Sequence, residues 1–90
     1  MPDSRTQLTE YLWRHRDELI VYLARRLGSA SVAETVAREV MFELRSAQLQ
    51  PRITDVRGYL FAFATQLGID RLLREGAASA MRRQLDVSPR

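Results

Sequence analysis

The segment Ile53–Arg74, ITDVRGYLFAFATQLGIDRLLR, constrains the fold more than any other. It is the longest near-apolar run in the chain, and Thr65 and Gln66 are its only polar side chains between Tyr59 and Ile69. Asp55 stands where a helix N-cap would accept hydrogen bonds from the first free backbone N–H groups. From Val56 onward, Leu60, Phe63, Ala64 and Leu67 recur on one side at helical spacing, while Phe61, Ile69, Leu72 and Leu73 lie on other sides. A helix apolar nearly all round is either buried centrally or presents apolar surface to a partner, and the sequence leaves both open. Gly58 marks a close approach in the first turn. Gly68, which costs about 1 kcal/mol against alanine in mid-helix, points to tight packing against a neighbour. Asp70 with Arg74 and Arg71 with Glu75 are i,i+4 pairs suited to a salt-bridged helix end.

The rest of the chain reads as helices that cover this one. In residues 4–27 Leu8, Tyr11, Leu12, His15, Leu19, Tyr22 and Leu23 form one face, widened by Trp13, Ile20, Ala24 and Leu27. Ser4 followed by Gln7 fits a capping box, and Gly28 a helix-terminating residue behind Arg25 and Arg26. The polar cluster RHRDE allows a break into two helices near His15–Asp17. His15, the only histidine, has no second histidine, nucleophile or metal partner, so a packed or hinge role outweighs a catalytic one. A second helix covers about Val32–Ala47, with Ser31 and Glu34 as capping box. Its apolar half holds Val36, Ala37, Val40, Met41 and Leu44. Phe42 breaks that order and falls among Glu34, Arg38 and Arg45 on the polar side. An aromatic ringed by alternating charges suits a helix-docking surface. Pro51 forces a loop over Gln48–Asp55, a position suited to recognition because helices hold it at both ends. Gly76 ends or bends the long helix, and Ala77–Leu85 permits a short last one with Arg82 and Arg83 exposed before a frayed tail.

These elements predict an all-α fold: a compact bundle of three main helices plus a short C-terminal fourth, in a single domain over residues 1–90 with its core in about 4–75. The absence of cysteine excludes disulfides and cysteine-based metal or redox sites. No phosphate-cradling glycine loop, HExxH or GxSxG motif occurs, and the scattered carboxylates lack the histidines of a bundle metal site. The expectation is a binding protein with no catalytic residues, metal or cofactor. The polar N-terminus is unlike a signal peptide and no run is long enough to span a bilayer, so the cytoplasm is the default location, without membrane insertion. Every basic side chain apart from His15 is arginine. Residues 1–50 are neutral overall, so residues 51–90 carry the whole +3. That excess suits a polyanionic partner and equally a solvated basic surface.

Taken together, YLARRLGS, the run ITDVRGYLF and the ending IDRLLR, spread in order over about residues 8–75, resemble region 2 of the extracytoplasmic-function sigma factors of bacterial RNA polymerase, most closely the iron-starvation branch. The resemblance implies a module that binds core polymerase and contributes to recognition and melting of the −10 promoter element. It implies that the second helix docks on the clamp coiled coil of the largest polymerase subunit, through Glu34, Arg38, Glu39, Phe42 and Arg45. It implies −10 DNA contacts from Gln48, Gln50 and Arg52 in the loop and from Arg57, Tyr59, Gln66, Arg71 and Arg74 on the following helix. The physics is compatible, because opening a duplex needs cations for phosphates and flat or apolar surface for unstacked bases. Tyr59 and Phe61 are stacking candidates on that ground, with core packing the stronger claim on either.

The chain also departs from the family pattern. Val32, Ala33 and Thr35 replace part of an acidic run, and Arg38 stands where a glutamine is usual. Ala62 and Thr65 occupy two arginine positions of the third helix, and Gln66 an asparagine. Each lost phosphate contact should lower affinity and flatten its salt dependence. No counterpart of the helix-turn-helix that reads the −35 element is found in these 90 residues. A second expectation is therefore a protein–protein module that keeps the sigma-like fold, binds an anti-sigma factor or a signalling partner, and has weak DNA affinity or none.

Overall fold

The computed structural model describes residues 3–86, the last ten as backbone. It has four helices and no strand among these residues: α1 (Ser4–Arg14), α2 (Arg16–Leu27), α3 (Ala30–Ser46) and α4 (Val56–Asp86). The bundle is thus all-α, with the first helical segment split at His15. That residue closes α1 through its backbone N–H to the Tyr11 carbonyl and precedes α2 with φ −121°, outside the helical region. Its ring stacks on Tyr11 at 4.1 Å, and Nδ1 lies 3.2 Å from Glu18 Oε1. His15 is a hinge.

Three helix boundaries differ from the sequence reading. Asp3, not Ser4, caps α1: its carboxylate accepts the Thr6 N–H at 2.8 Å, and Ser4 is freed for a tertiary contact. Ser29, not Ser31, caps α3 by accepting the Val32 N–H at 3.2 Å. In both cases two residues of suitable type stand within two positions, and local spacing alone does not choose between them. Gly76 does not break the last helix. The backbone is helical through it to Asp86, because one glycine followed by AASAM costs propensity without removing a hydrogen bond. The exposure of Arg82 and Arg83 and the tail 87–90 lie outside the described residues. Gly28, with φ 74°, terminates α2 in the left-handed conformation that glycine adopts without a steric penalty.

The core joins every element. Leu8 and Leu12 from α1, Leu19 and Leu23 from α2, Val36, Val40 and Leu44 from α3, and Leu60, Phe61 and Ala64 from α4 are buried together, with Ile53 added from the loop. Phe61 belongs to this core rather than to the outer side of α4, and Phe63 and Leu67 are only partly buried. The wheel of α4 is therefore rotated by about one residue from the one the sequence suggested, because α2 as well as α3 covers it. Gly68 lets α4 lie against α2: a Cβ there would come within 2.5 Å of Leu27 Cδ1. Trp13, expected to widen the apolar face, is 68% exposed.

Candidate functional site

The loop between α3 and α4 is held from below at three points. The Arg5 guanidinium donates to the Leu44 carbonyl and, at 3.1 Å, to the Ala47 carbonyl, so it caps the C-terminal end of α3. Ser4 Oγ, itself buried, donates to the Gln50 carbonyl. Ile53 is inserted into the core. Asp55 then accepts the Gly58 N–H at 2.9 Å and starts α4. A Cβ at Gly58 would meet that carboxylate as it is now placed. With the backbone fixed in this way, the side chains of Gln48, Gln50 and Arg52 face solvent.

Beside the loop, α2 and α4 build a stack of arginines and aromatics. Arg26 lies 5.4 Å over the Tyr22 ring, Tyr22 meets Phe61 at 5.0 Å, and Arg57 lies 4.3 Å over Phe61. These groups line one groove together with Asp55, Gly58, Ala62, Thr65 and Gln66. Arg57 is not a free cation. It donates to Tyr11 Oη at 3.2 Å and to Glu18 Oε2 at 2.7 Å, and these bonds, in that order, raise its pKa above the usual arginine value. The Arg57 bond, followed by the His15 contact, holds the Glu18 carboxyl below the usual glutamate range. Tyr59 is half-buried with its ring 6.4 Å from Phe63, so it is not an open stacking platform. Gln66 donates to Asp70 Oδ1 at 3.1 Å.

A second surface lies across α3. Phe42 is 70% exposed, and Arg45 stands 5.4 Å over its ring. Arg38, Glu39, Phe42 and Glu43 form one wall of a groove, and Leu67, Arg71, Arg74 and Glu75 form the other. Arg71 crosses it to bond Glu39 and also holds Glu75 at 3.1 Å. Arg74 turns back to the Asp70 carbonyl at 3.5 Å, so the side-chain pair expected between Asp70 and Arg74 does not form.

The eight residues assigned to DNA thus fall into two places. Gln48, Gln50 and Arg52 in the loop, with Arg57, Tyr59 and Gln66, surround the loop and the α2–α4 groove. Arg71 and Arg74 sit further along α4, Arg71 about 21 Å from Arg57 and about 8 Å from Gln66 at about 1.5 Å per residue, and share a groove with the α3 residues assigned to polymerase. Glu34 and Arg45 are exposed on α3 as expected. By sequence Tyr22, Arg26 and Ser4 have only structural roles and Arg5 none. The i,i+4 spacing of Tyr22 with Arg26 and of Arg57 with Phe61 carries the signal of the stack. Nothing local signals Ser4 or Arg5, whose partners are 46 and 39 residues away.

Among the described residues no cluster of three or more histidines or carboxylates could hold a metal ion, and no helix is long and apolar enough to cross a membrane. No protein-family model matches the chain, and neither a curated protein nor a solved structure is significantly similar to it.

Proposed function

We propose that this chain is a sigma-factor region 2-like module. On this reading the outer face of α3 docks on the clamp coiled coil of core RNA polymerase, and the α3–α4 loop with the adjoining groove engages −10 promoter DNA. The observation that carries the reading is Phe42. A fully helical, well-packed chain spends a large aromatic on solvent, with Arg45 over its ring and Arg38, Glu39 and Glu43 around it, which is the composition of an interface anchor. The exposed Gln48, Gln50 and Arg52 on a backbone fixed by Ser4, Arg5 and Ile53 supply a preorganised second surface.

A pull-down of core polymerase, or of its isolated clamp coiled coil, tests the first half. Wild type should be retained, and Phe42→Ala and Glu34→Arg should each lose most of it. Glu39→Arg is the poorer probe, because it would set two arginines against each other across the α3–α4 groove. Retention of all three proteins alike, or of none, contradicts the polymerase half.

The ion pairs of Arg57 and Arg71 favour the second reading, a sigma-like protein–protein module with little DNA affinity. Two of the cations assigned to DNA already hold carboxylates of the same chain. Fluorescence anisotropy with single-stranded −10 oligonucleotides across salt separates the two. Salt-dependent binding weakened by Arg52→Ala supports DNA engagement. Tight capture of an anti-sigma factor with no oligonucleotide affinity selects the protein–protein module.

A further inference from the structure

We infer that the cleft between the end of α1 and α3 is a docking site for an acidic amphipathic helix of a partner protein. The cleft has a volume of about 380 Å³. Its floor is Leu12, Ala37 and Met41, its wall is Trp13, and its rim is Arg16 and Arg38. Trp13 leaves 68% of its surface in water, a placement that a folded chain has no internal reason to keep. Tryptophan is among the residues that dominate interface energetics, and a methionine floor adapts to the side chain that enters it.

Charge identifies the partner. No carboxylate lines the cleft, and neither Arg16 nor Arg38 has an ion-pair partner among the described residues. The neighbouring groove, which Arg38 also borders, is different: its arginines alternate with Glu39, Glu43 and Glu75, and Arg71 is paired with two of them. An apolar floor between two uncompensated guanidiniums fits an apolar side chain flanked by carboxylates, which arginine can grip with two parallel hydrogen bonds. Spacing of an anchor and acids at i, i+3 and i+4 is what a helix supplies. Single-stranded nucleic acid fits less well. Trp13 could stack a base, but the aliphatic floor offers no second flat face and nothing to the base edges, and two cations make no track for a backbone. The inference goes beyond the polymerase reading, needs neither Phe42 nor the loop, and shares only Arg38 with it.

Trp13 is the only tryptophan, so its emission reports occupancy directly. The full chain would be titrated with a designed helical peptide that carries leucine and phenylalanine on one face and glutamates beside them. Parallel titrations would use a twin with lysines for the glutamates and an oligothymidine. The expected result is a saturable blue shift with the acidic peptide alone, weakened at least tenfold by Arg16→Glu with Arg38→Glu and by raised salt. Both arginines are exposed, so circular dichroism should show the double variant folded; Arg16→Gln with Arg38→Gln is the milder substitute if it is not. Met41→Ala should weaken the same shift without changing its salt dependence. An equal response to the lysine twin, no shift with the acidic peptide, full binding by the arginine variants, or a shift with oligothymidine instead would each overturn the inference. So would a blue shift produced by raising the protein concentration alone, which would make the cleft a contact between copies of this chain.

Discussion

The α2–α4 groove and the outer ridge of α3 are made from the same residue types and use them in opposite ways. In the first, Phe61 is 7% exposed and wedged between Tyr22 and Arg57, and Arg57 is tied to Glu18 and Tyr11. In the second, Phe42 is 70% exposed, and its arginine covers the ring without an ion pair among the described residues. An arginine over an aromatic ring is therefore not by itself a binding surface in this protein. On the α2 side it closes the core. On the α3 side nothing among the described residues uses it, and that is the stronger argument for a partner.

The comparison makes its sharpest prediction through the two phenylalanines. Phe61→Ala should lower unfolding free energy by about 3–5 kcal/mol, the usual cost of emptying a buried phenylalanine site, whereas Phe42→Ala should stay within about 0.5 kcal/mol of wild type. Urea denaturation of both variants checks this. A Phe42→Ala loss as large as that of Phe61→Ala would mean that α3 packs its outer face against something within the chain.

The loop provides the next test. Arg5→Ala removes the cap on α3 and one of three anchors of the loop, and should cost about 1.5–3 kcal/mol, the range for charge-assisted hydrogen bonds. It should also speed limited proteolysis between Gln48 and Asp55. A stability loss with unchanged proteolysis would show that Ser4 and Ile53 suffice to hold the loop.

A smaller effect belongs to the ion pair across the α3 groove. A double-mutant cycle on Glu39→Gln and Arg71→Gln should give a coupling of about 0.5–1 kcal/mol that shrinks with salt, since both side chains are roughly a third exposed. Zero coupling at low salt would free Arg71 and weaken the case for a DNA-poor surface.

The smallest effect is that of pH. Asp3 is held below the usual aspartate range, chiefly by the Thr6 backbone N–H, and Glu18 below the usual glutamate range, chiefly by Arg57. A carboxyl whose pKa is lower in the folded than in the unfolded state stabilises above its unfolded value, about 3.9 for aspartate and 4.3 for glutamate, and loses that contribution as pH falls through the folded value. Asp3→Asn and Glu18→Gln should therefore flatten the fall in melting temperature between about pH 5 and the acid limit. An unchanged acid profile in both variants would contradict these assignments.

Much of the fold was legible because its signals are local. The helical periodicities, the break at His15, the Gly28 terminator and the Asp55 cap all follow from spacing and residue type over a few positions. The rotation of α4 was not, since whether Phe61 or Phe63 turns inward depends on α2 covering α4 as well as α3. The exposure of Trp13 was missed for a similar reason: once the chain bends at His15, the apolar stripe of α1 no longer continues along α2. Of the site, the exposed Phe42 and the solvent-facing Gln48, Gln50 and Arg52 could be read from the sequence. The Arg71–Glu75 pair could be read too, but the pairing of Arg57 with Glu18 and of Arg71 with Glu39 could not, because those partners are 39 and 32 residues away along the chain.

The central claim is that α3 faces polymerase while the loop faces DNA, and amide chemical-shift mapping with the isolated clamp coiled coil tests it most directly. The account predicts that the shifts concentrate on Glu34–Arg45, that Gln48–Gln66 stay nearly unchanged, and that Phe42→Ala abolishes the response. An absence of shifts at saturating fragment, or shifts centred on the loop and the start of α4, would contradict it.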